Sequence, residues 1–197
     1  GIYFIGATTN LLVEGNKIYD GHRLGIRAEC GAGDITGTFR NNLIYDNSDK
    51  EVYFSSCNSS VNFFNNTIAD YSSDSDYVVQ MNNGSVAKWQ NNILAGLNSA
   101  VYHQPHSGSD MDYNLFYRPS GTMISLGGGS YSMSQFGSYQ QSTGKGVNSI
   151  AADPAFTNAQ AGSFGLQGAS PAIDKASDST HLGFATDIEG KGKACLL

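Results

Sequence analysis

The sequence predicts an all-β chain, a right-handed parallel β-helix solenoid of about six coils with a C-terminal capping segment. Three observations carry that expectation. Asparagine recurs at Asn16, Asn42, Asn66, Asn92 and Asn114, with steps of 26, 24, 26 and 22 residues. Two apolar columns keep register with it: Val13, Phe39, Phe63, Trp89 and Met111 three places before, and Ile18, Ile44, Ile68, Leu94 and Phe116 two places after. Between them the positions two and four before the Asn are mostly polar, as in Glu14, Arg40, Gln90, Thr38, Asn62 and Lys88, with Leu12 and Phe64 as exceptions. Such alternation marks a strand with one buried face.

Each repeat opens on a further β-rich run: Ile2-Tyr3-Phe4-Ile5, Gly25-Ile26-Arg27-Ala28, Val52-Tyr53-Phe54-Ser55, Tyr77-Val78-Val79-Gln80 and Ala100-Val101-Tyr102-His103. The short apolar piece after each Asn makes a third strand per coil. Gly, Ser, Asp and Asn fill the gaps, as in Gly31-Ala32-Gly33-Asp34 and Ser72-Ser73-Asp74-Ser75-Asp76. These are turn formers, and no helical pattern fits between them. The stretch Gly127-Gly128-Gly129-Ser130 then marks a boundary. It divides coils over residues 1–130 from a cap of the same solenoid over 131–197, with a short helix from Ser132 to Gln141 packed across the end.

In-register coils bring successive asparagines one strand spacing apart, about 4.8 Å. At that distance each amide can donate to one neighbour and accept from the other. Read instead as exposed turn punctuation, the asparagines would explain the turns and leave the apolar columns unexplained. A leucine-rich repeat also places an Asn in such a setting. It requires an apolar residue eight before, where this chain has Thr8, Asp34, Asn58, Gly84 and His106, so it fits less well.

The last third resembles a known family. The run Ala152-Asp153-Pro154-Ala155-Phe156, then Gly162-Ser163-Phe164-Gly165-Leu166-Gln167, then Ser170-Pro171-Ala172-Ile173-Asp174, looks like the closing segment of bacterial right-handed parallel β-helix proteins of the broad pectate-lyase-like group. Asp187-Ile188-Glu189-Gly190-Lys191 is similar to the stretch that follows in many members. The resemblance implies the fold, and an exported, secreted or cell-surface protein. It does not imply one activity, because members include polysaccharide lyases, epimerases, hydrolases and proteins with no known reaction. No catalytic signature of an individual enzyme family is recognisable.

Composition agrees: 197 residues, 40% hydrophobic and 14% charged, with 24 Gly and a net charge of −6. Low charge with much Gly suits a turn-rich β protein. No continuous apolar span suits a membrane helix, and the acidic balance with no basic cluster argues against nucleic acid and anionic membrane surfaces. The first run begins without a cap over its coil, which predicts a piece of a longer chain or a homo-oligomer joined coil on coil. Of the cysteines Cys30, Cys57 and Cys195, the first two end strands on consecutive coils. Two stacked thiols are the favoured reading, with a Cys30–Cys57 disulfide the alternative in an exported chain.

Four places after the ladder Asn stand Asp20, Asp46 and Asp70. Stacked carboxylates repel unless exposed, split by turns or bridged by a cation, and calcium suits oxygen ligands of this kind, with Asp49, Asp74 and Asp76 in the same loops. A solvated row of turn aspartates is the favoured reading, and no cofactor is required.

In carbohydrate-active members of the family the outward face of the first strand in each coil carries the substrate groove. By alternation Tyr3, Arg27, Glu29, Tyr53, Ser55, Gln80, Tyr102 and Gln104 should point out there. Rings at several levels stack on sugars, while Arg, Glu and Gln supply directional hydrogen bonds, so the expected partner is an extended polysaccharide. A lyase or epimerase acting on a uronic acid must neutralise the substrate carboxylate and abstract the adjacent proton. Arg27 beside Glu29 is the best local pair, with His103 or His106 some coils away. A hydrolase would need two carboxylates, for which Glu29 with Asp110 or Asp112 offers no better geometry. The competing expectation is a non-catalytic surface, adhesion or protein-interaction module.

Overall fold

A computed structural model describes residues 1–177 apart from 32, 56–57, 73–75, 83 and 107. Three parallel sheets wrap one core. The first contains Ile2–Ile5, Leu24–Glu29, Lys50–Ser55, Tyr77–Met81, Ala100–Gln104 and Thr122–Leu126. The second contains Thr8–Glu14, Ile35–Arg40, Ser60–Phe64, Val86–Gln90 and Asp110–Asp112. The third contains Lys17–Tyr19, Leu43–Tyr45, Thr67–Asp70, Ile93–Gly96, Leu115–Tyr117 and Ile150–Ala151. The chain is therefore an all-β parallel solenoid, a β-helix.

The ladder asparagines link consecutive coils in one repeating geometry. The backbone N–H and the Nδ2 of Asn66 both donate to Asn92 Oδ1 at 2.9 Å, and its Nδ2 also donates back to Phe39 O at 2.9 Å. Asn42 does the same to Asn66 and Val13, and Asn92 to Asn114 and Phe63. Ser149 ends the series, its Oγ accepting from the Asn114 N–H at 3.0 Å. The residue before each rung lies in the left-handed region: Gly15, Asn41, Asn65, Asn91 and Tyr113, with φ of 67°, 54°, 55°, 60° and 54°. Asn tolerates that region better than most residues, so in each Asn-Asn pair the first makes the bend and the second the rung.

Both apolar columns are interior and in register. Phe39, Phe63 and Trp89 stack face to face, with centroids 4.7 and 4.0 Å apart. Parallel stacking of this kind accompanies the burial of large rings.

Four full turns separate Asn16 from Asn114, so the solenoid has about four turns rather than six. The reason lies in the chain after Tyr117. Thr122–Leu126 adds a strand to the first sheet, but Gly129–Ser132 reverses antiparallel against it, and the second sheet gains no further strand. A 3-10 turn at Met133–Gln135 and a helix at Phe136–Thr143 follow, close to the expected helix. Phe136 and Tyr139 join Met111, Phe116 and Met123 in the main core and close that end. Beyond Ile150 the chain leaves the end. It folds along the outer face of the third sheet, where Phe156, Ala159 and Ala172 pack with Tyr45, Ala69, Ile93, Ala95 and Leu115. The small side chains of Ala69 and Ala95 leave room for this layer. It extends to Ser177, which hydrogen-bonds Asn91 in both directions and Gln90. The expected stretch Asp187 to Lys191 lies outside the described residues.

Cys30 is disulfide-bonded, which corrects the expectation of stacked thiols. Cys57 and Cys195 lie outside the described residues. Among the described residues no helix is long and apolar enough to cross a membrane.

Replacing Asn66 by Ala leaves the Asn42 donors without their acceptor and Phe39 O without its donor. The expected cost is about 1–3 kcal/mol per group left unsatisfied, read as a lower midpoint in urea unfolding. An unchanged midpoint would show that the ladder contributes nothing.

Candidate functional site

The first sheet carries an unbroken outward column: Tyr3, Arg27, Tyr53, Gln80, His103 and Ser125 are register partners in turn. At its upper end three side chains form a cluster. Arg27 Nη2 contacts Glu29 Oε2 at 2.6 Å, Tyr3 donates its hydroxyl to the same oxygen, and the guanidinium lies 4.8 Å from the Tyr3 ring centroid. The hydrogen bond to Glu29 raises the Tyr3 phenol above its ordinary value, so the hydroxyl stays protonated at neutral pH and acts as a donor. Tyr3 is 47% exposed.

Further along, Lys50 Nζ sits 5.8 Å from the Tyr53 centroid and 2.5 Å from Asp49 Oδ1. Tyr77 stacks on His103 with centroids 4.4 Å apart. Burial lowers the His103 imidazole below its ordinary value, so it is neutral at pH 7. Gln80 donates to Asn82 Oδ1 at 3.3 Å. Glu29 and Ser55 share a second outward column.

Tyr102 and Gln104 do not belong to this face, contrary to expectation. Both are buried, Tyr102 pairs in register with Val79 and Ile124, and its hydroxyl donates to Gln104 Oε1 at 2.9 Å. Gln104 Nε2 in turn donates to Ser85 O at 2.6 Å. Alternation alone allows either set within Ala100–Gln104 to face inward, and the register turns His103 out beside Gln80 and Ser125. Burial pushes the Tyr102 phenol well above its ordinary value.

The aspartate column divides into two kinds of position. Asp20 and Asp46 occupy left-handed turns with φ of 49° and 53°, a conformation that favours Asp for backbone reasons. Asp46 Oδ1 accepts from the Tyr71 N–H at 2.8 Å. Asp70 ends a strand, is buried, and accepts from Ser99 Oγ at 2.7 Å. Among the described residues no group of three or more His, Cys, Asp or Glu is arranged to hold a metal. Asp74 lies outside the described residues.

A carboxylate that sequence reasoning missed lies behind them. Glu51 is buried, with both oxygens accepting from Asn47, from its N–H at 3.0 Å and its Nδ2 at 2.5 Å. Burial raises its carboxyl well above the ordinary 4.5, and the charges of Asp70 and Asp46 add to that. The Asn47 hydrogen bonds oppose the shift. Asp46 is raised likewise, first by burial. Strand parity gave no signal for Glu51, which shares the outward parity of Tyr53 and Ser55 within Lys50–Ser55 and is buried beneath the turn at Asn47.

Two concavities lie off the first sheet. One, of about 610 Å³, runs over the outer face of the second sheet beside Leu12, Thr38, Arg40, Asn62 and Phe64. The Arg40 guanidinium there pairs with Glu14 at 2.9 Å. The other, of about 480 Å³, separates the third sheet from the returning tail.

Comparison with protein-family models, with curated proteins and with solved structures gives no match. The class that the geometry defines is the parallel β-helix.

Folded Glu51 holds its proton to higher pH than the unfolded chain does, so stability falls as pH rises from about 4.5 through its raised value. Thermal midpoints taken from pH 4 to 8 should decline over that window, and Glu51→Gln should flatten the decline. A wild-type curve that rises throughout the window would overturn this assignment.

Proposed function

We propose that the outward face of the first sheet binds an extended polysaccharide lying across the strands, with lyase or epimerase action on a uronic-acid polymer as the chemistry tested first. The supporting observation is the in-register column from Tyr3 to Ser125, which presents aromatic, cationic and amide groups at successive levels about 4.8 Å apart. Tyr3, Tyr53 and Tyr77 supply ring faces for sugar C–H groups, and Arg27 and Lys50 supply positive charge for carboxylates.

Chemistry on this face would centre on Arg27, Glu29 and Tyr3, where a cation, a carboxylate and a phenol share hydrogen bonds. Their mutual pairing favours a second reading. Glu29 accepts from both neighbours and Arg27 is already neutralised, which suits a non-catalytic binding or adhesion module. Kinship with bacterial pectate-lyase-like proteins belongs to the same proposal, supported by the closing motifs from Ala152 to Asp174. The Cys30 disulfide supports an oxidising compartment, hence secretion or surface display.

Incubation with a panel of acidic polysaccharides, with and without calcium, followed by ultraviolet detection of unsaturated uronate, distinguishes the readings. Absorbance growth that Arg27→Ala abolishes is the result expected of a lyase. Retardation in affinity gels without absorbance growth supports the module. Tyr53→Ala should weaken retention roughly three- to tenfold, the contribution of one aromatic platform. No retention by any polymer would overturn recognition by this face.

A further inference from the structure

The cleft between the third sheet and the returning tail has a lining unlike the first sheet. Tyr71, Leu97 and Tyr117 form one wall, and the segment from Asp153 to Gln160 forms the other. Its floor is apolar: Phe156 is buried, with its ring centroid 6.1 Å from that of Tyr71, and Ala155 and Ala159 lie beside it. Its rim is polar. Asp153 bends the tail, its Oδ1 accepting from the Ala155 N–H at 2.8 Å where Ala155 takes φ of 51°. The carboxylate is thereby held facing both tyrosines. Burial and then the Asp153 charge push both phenols upward, so each remains a hydrogen-bond donor at neutral pH. Neither the Tyr71 hydroxyl nor the side-chain amides of Asn158 and Gln160 have a hydrogen-bond partner among the described residues. Gln167, by contrast, is fixed through Nε2 to Phe156 O at 2.9 Å.

Asp153 is the one charged residue in this lining, and it is negative. An anionic ligand would meet uncompensated repulsion. An ammonium group would satisfy the carboxylate and leave the phenol and amide donors unmatched. A neutral sugar fits both demands, because its hydroxyls donate and accept while its C–H face covers aromatic carbon. The volume of about 480 Å³ falls in the range of small-molecule sites, roughly 300–1,000 Å³. We infer that the cleft between Tyr71, Tyr117 and Asp153 is a second carbohydrate site, selective for a neutral glycosyl unit. It shares no residue with the first sheet and does not rest on the function proposed for that face.

The test is a ¹H–¹⁵N titration of the full chain with cello-, manno- and galacto-oligosaccharides, with an oligogalacturonate as the charged counterpart. The expected result is that at least one neutral oligosaccharide shifts the backbone amides of residues 155–160 and the oligogalacturonate does not. Asp153→Asn and Tyr117→Phe, which preserve shape, should each weaken that binding about fivefold, the loss of one hydrogen bond, with the remaining spectrum unchanged. Absence of shifts at residues 155–160 with every neutral probe would overturn the site, as would shifts of equal affinity in both variants. Shifts confined to the first sheet would also overturn it while leaving the reading of that face intact.

Discussion

Every part of this molecule depends on coils being stacked in one register, and the asparagine ladder enforces that register. A slip of one residue between coils would turn each strand's apolar side outward. The ladder forbids it locally, because from Asn42 to Asn114 each amide oxygen collects two donors from one coil and each Nδ2 reaches a carbonyl of the preceding coil. The apolar columns alone would tolerate small shifts, since Phe39, Phe63 and Trp89 could slide over one another. Directional hydrogen bonds in a buried setting make the difference between a stack and a specified stack.

Much of this was legible because the ladder Asn and the two apolar columns repeat with few exceptions. Their chemistry is local to one corner of the coil, so variation elsewhere does not blur it. The bend residues were visible yet unread: Gly15, Asn41, Asn65 and Asn91 precede the rungs, and only the left-handed φ shows why Asn is doubled. The same backbone demand accounts for Asp20 and Asp46, in keeping with the turn aspartates favoured from sequence over calcium ligands.

Positions farther from the ladder were less legible. Alternation within Ala100–Gln104 fits either set of side chains facing inward, so Tyr102 and Gln104 were placed on the wrong face and His103 was named only as a distant partner of Arg27 and Glu29. Glu51 was missed because a buried carboxyl contradicts ordinary patterning, and its acceptance depends on Asn47 folding back from the preceding turn. The cleft at Tyr71 and Tyr117 arises from a chain return across tens of residues. No repeat arithmetic encodes that. The turn count fell short of expectation for a related reason, because the tail after Tyr117 spends its strands on reversal and on covering the third sheet.

That returning tail also alters how the solenoid would come apart. Repeat proteins behave nearly as one-dimensional arrays in which each unit knows only its neighbours, and such arrays fray from their ends. Here the segment that closes on Asn91 through Ser177 spans 86 residues of sequence and lies against several coils at once. Peeling the terminal coil first requires detaching a strap anchored well inside the stack. The fastening joins only when Ser177 reaches Asn91, 86 residues earlier, so the coils between them are assembled before they are locked.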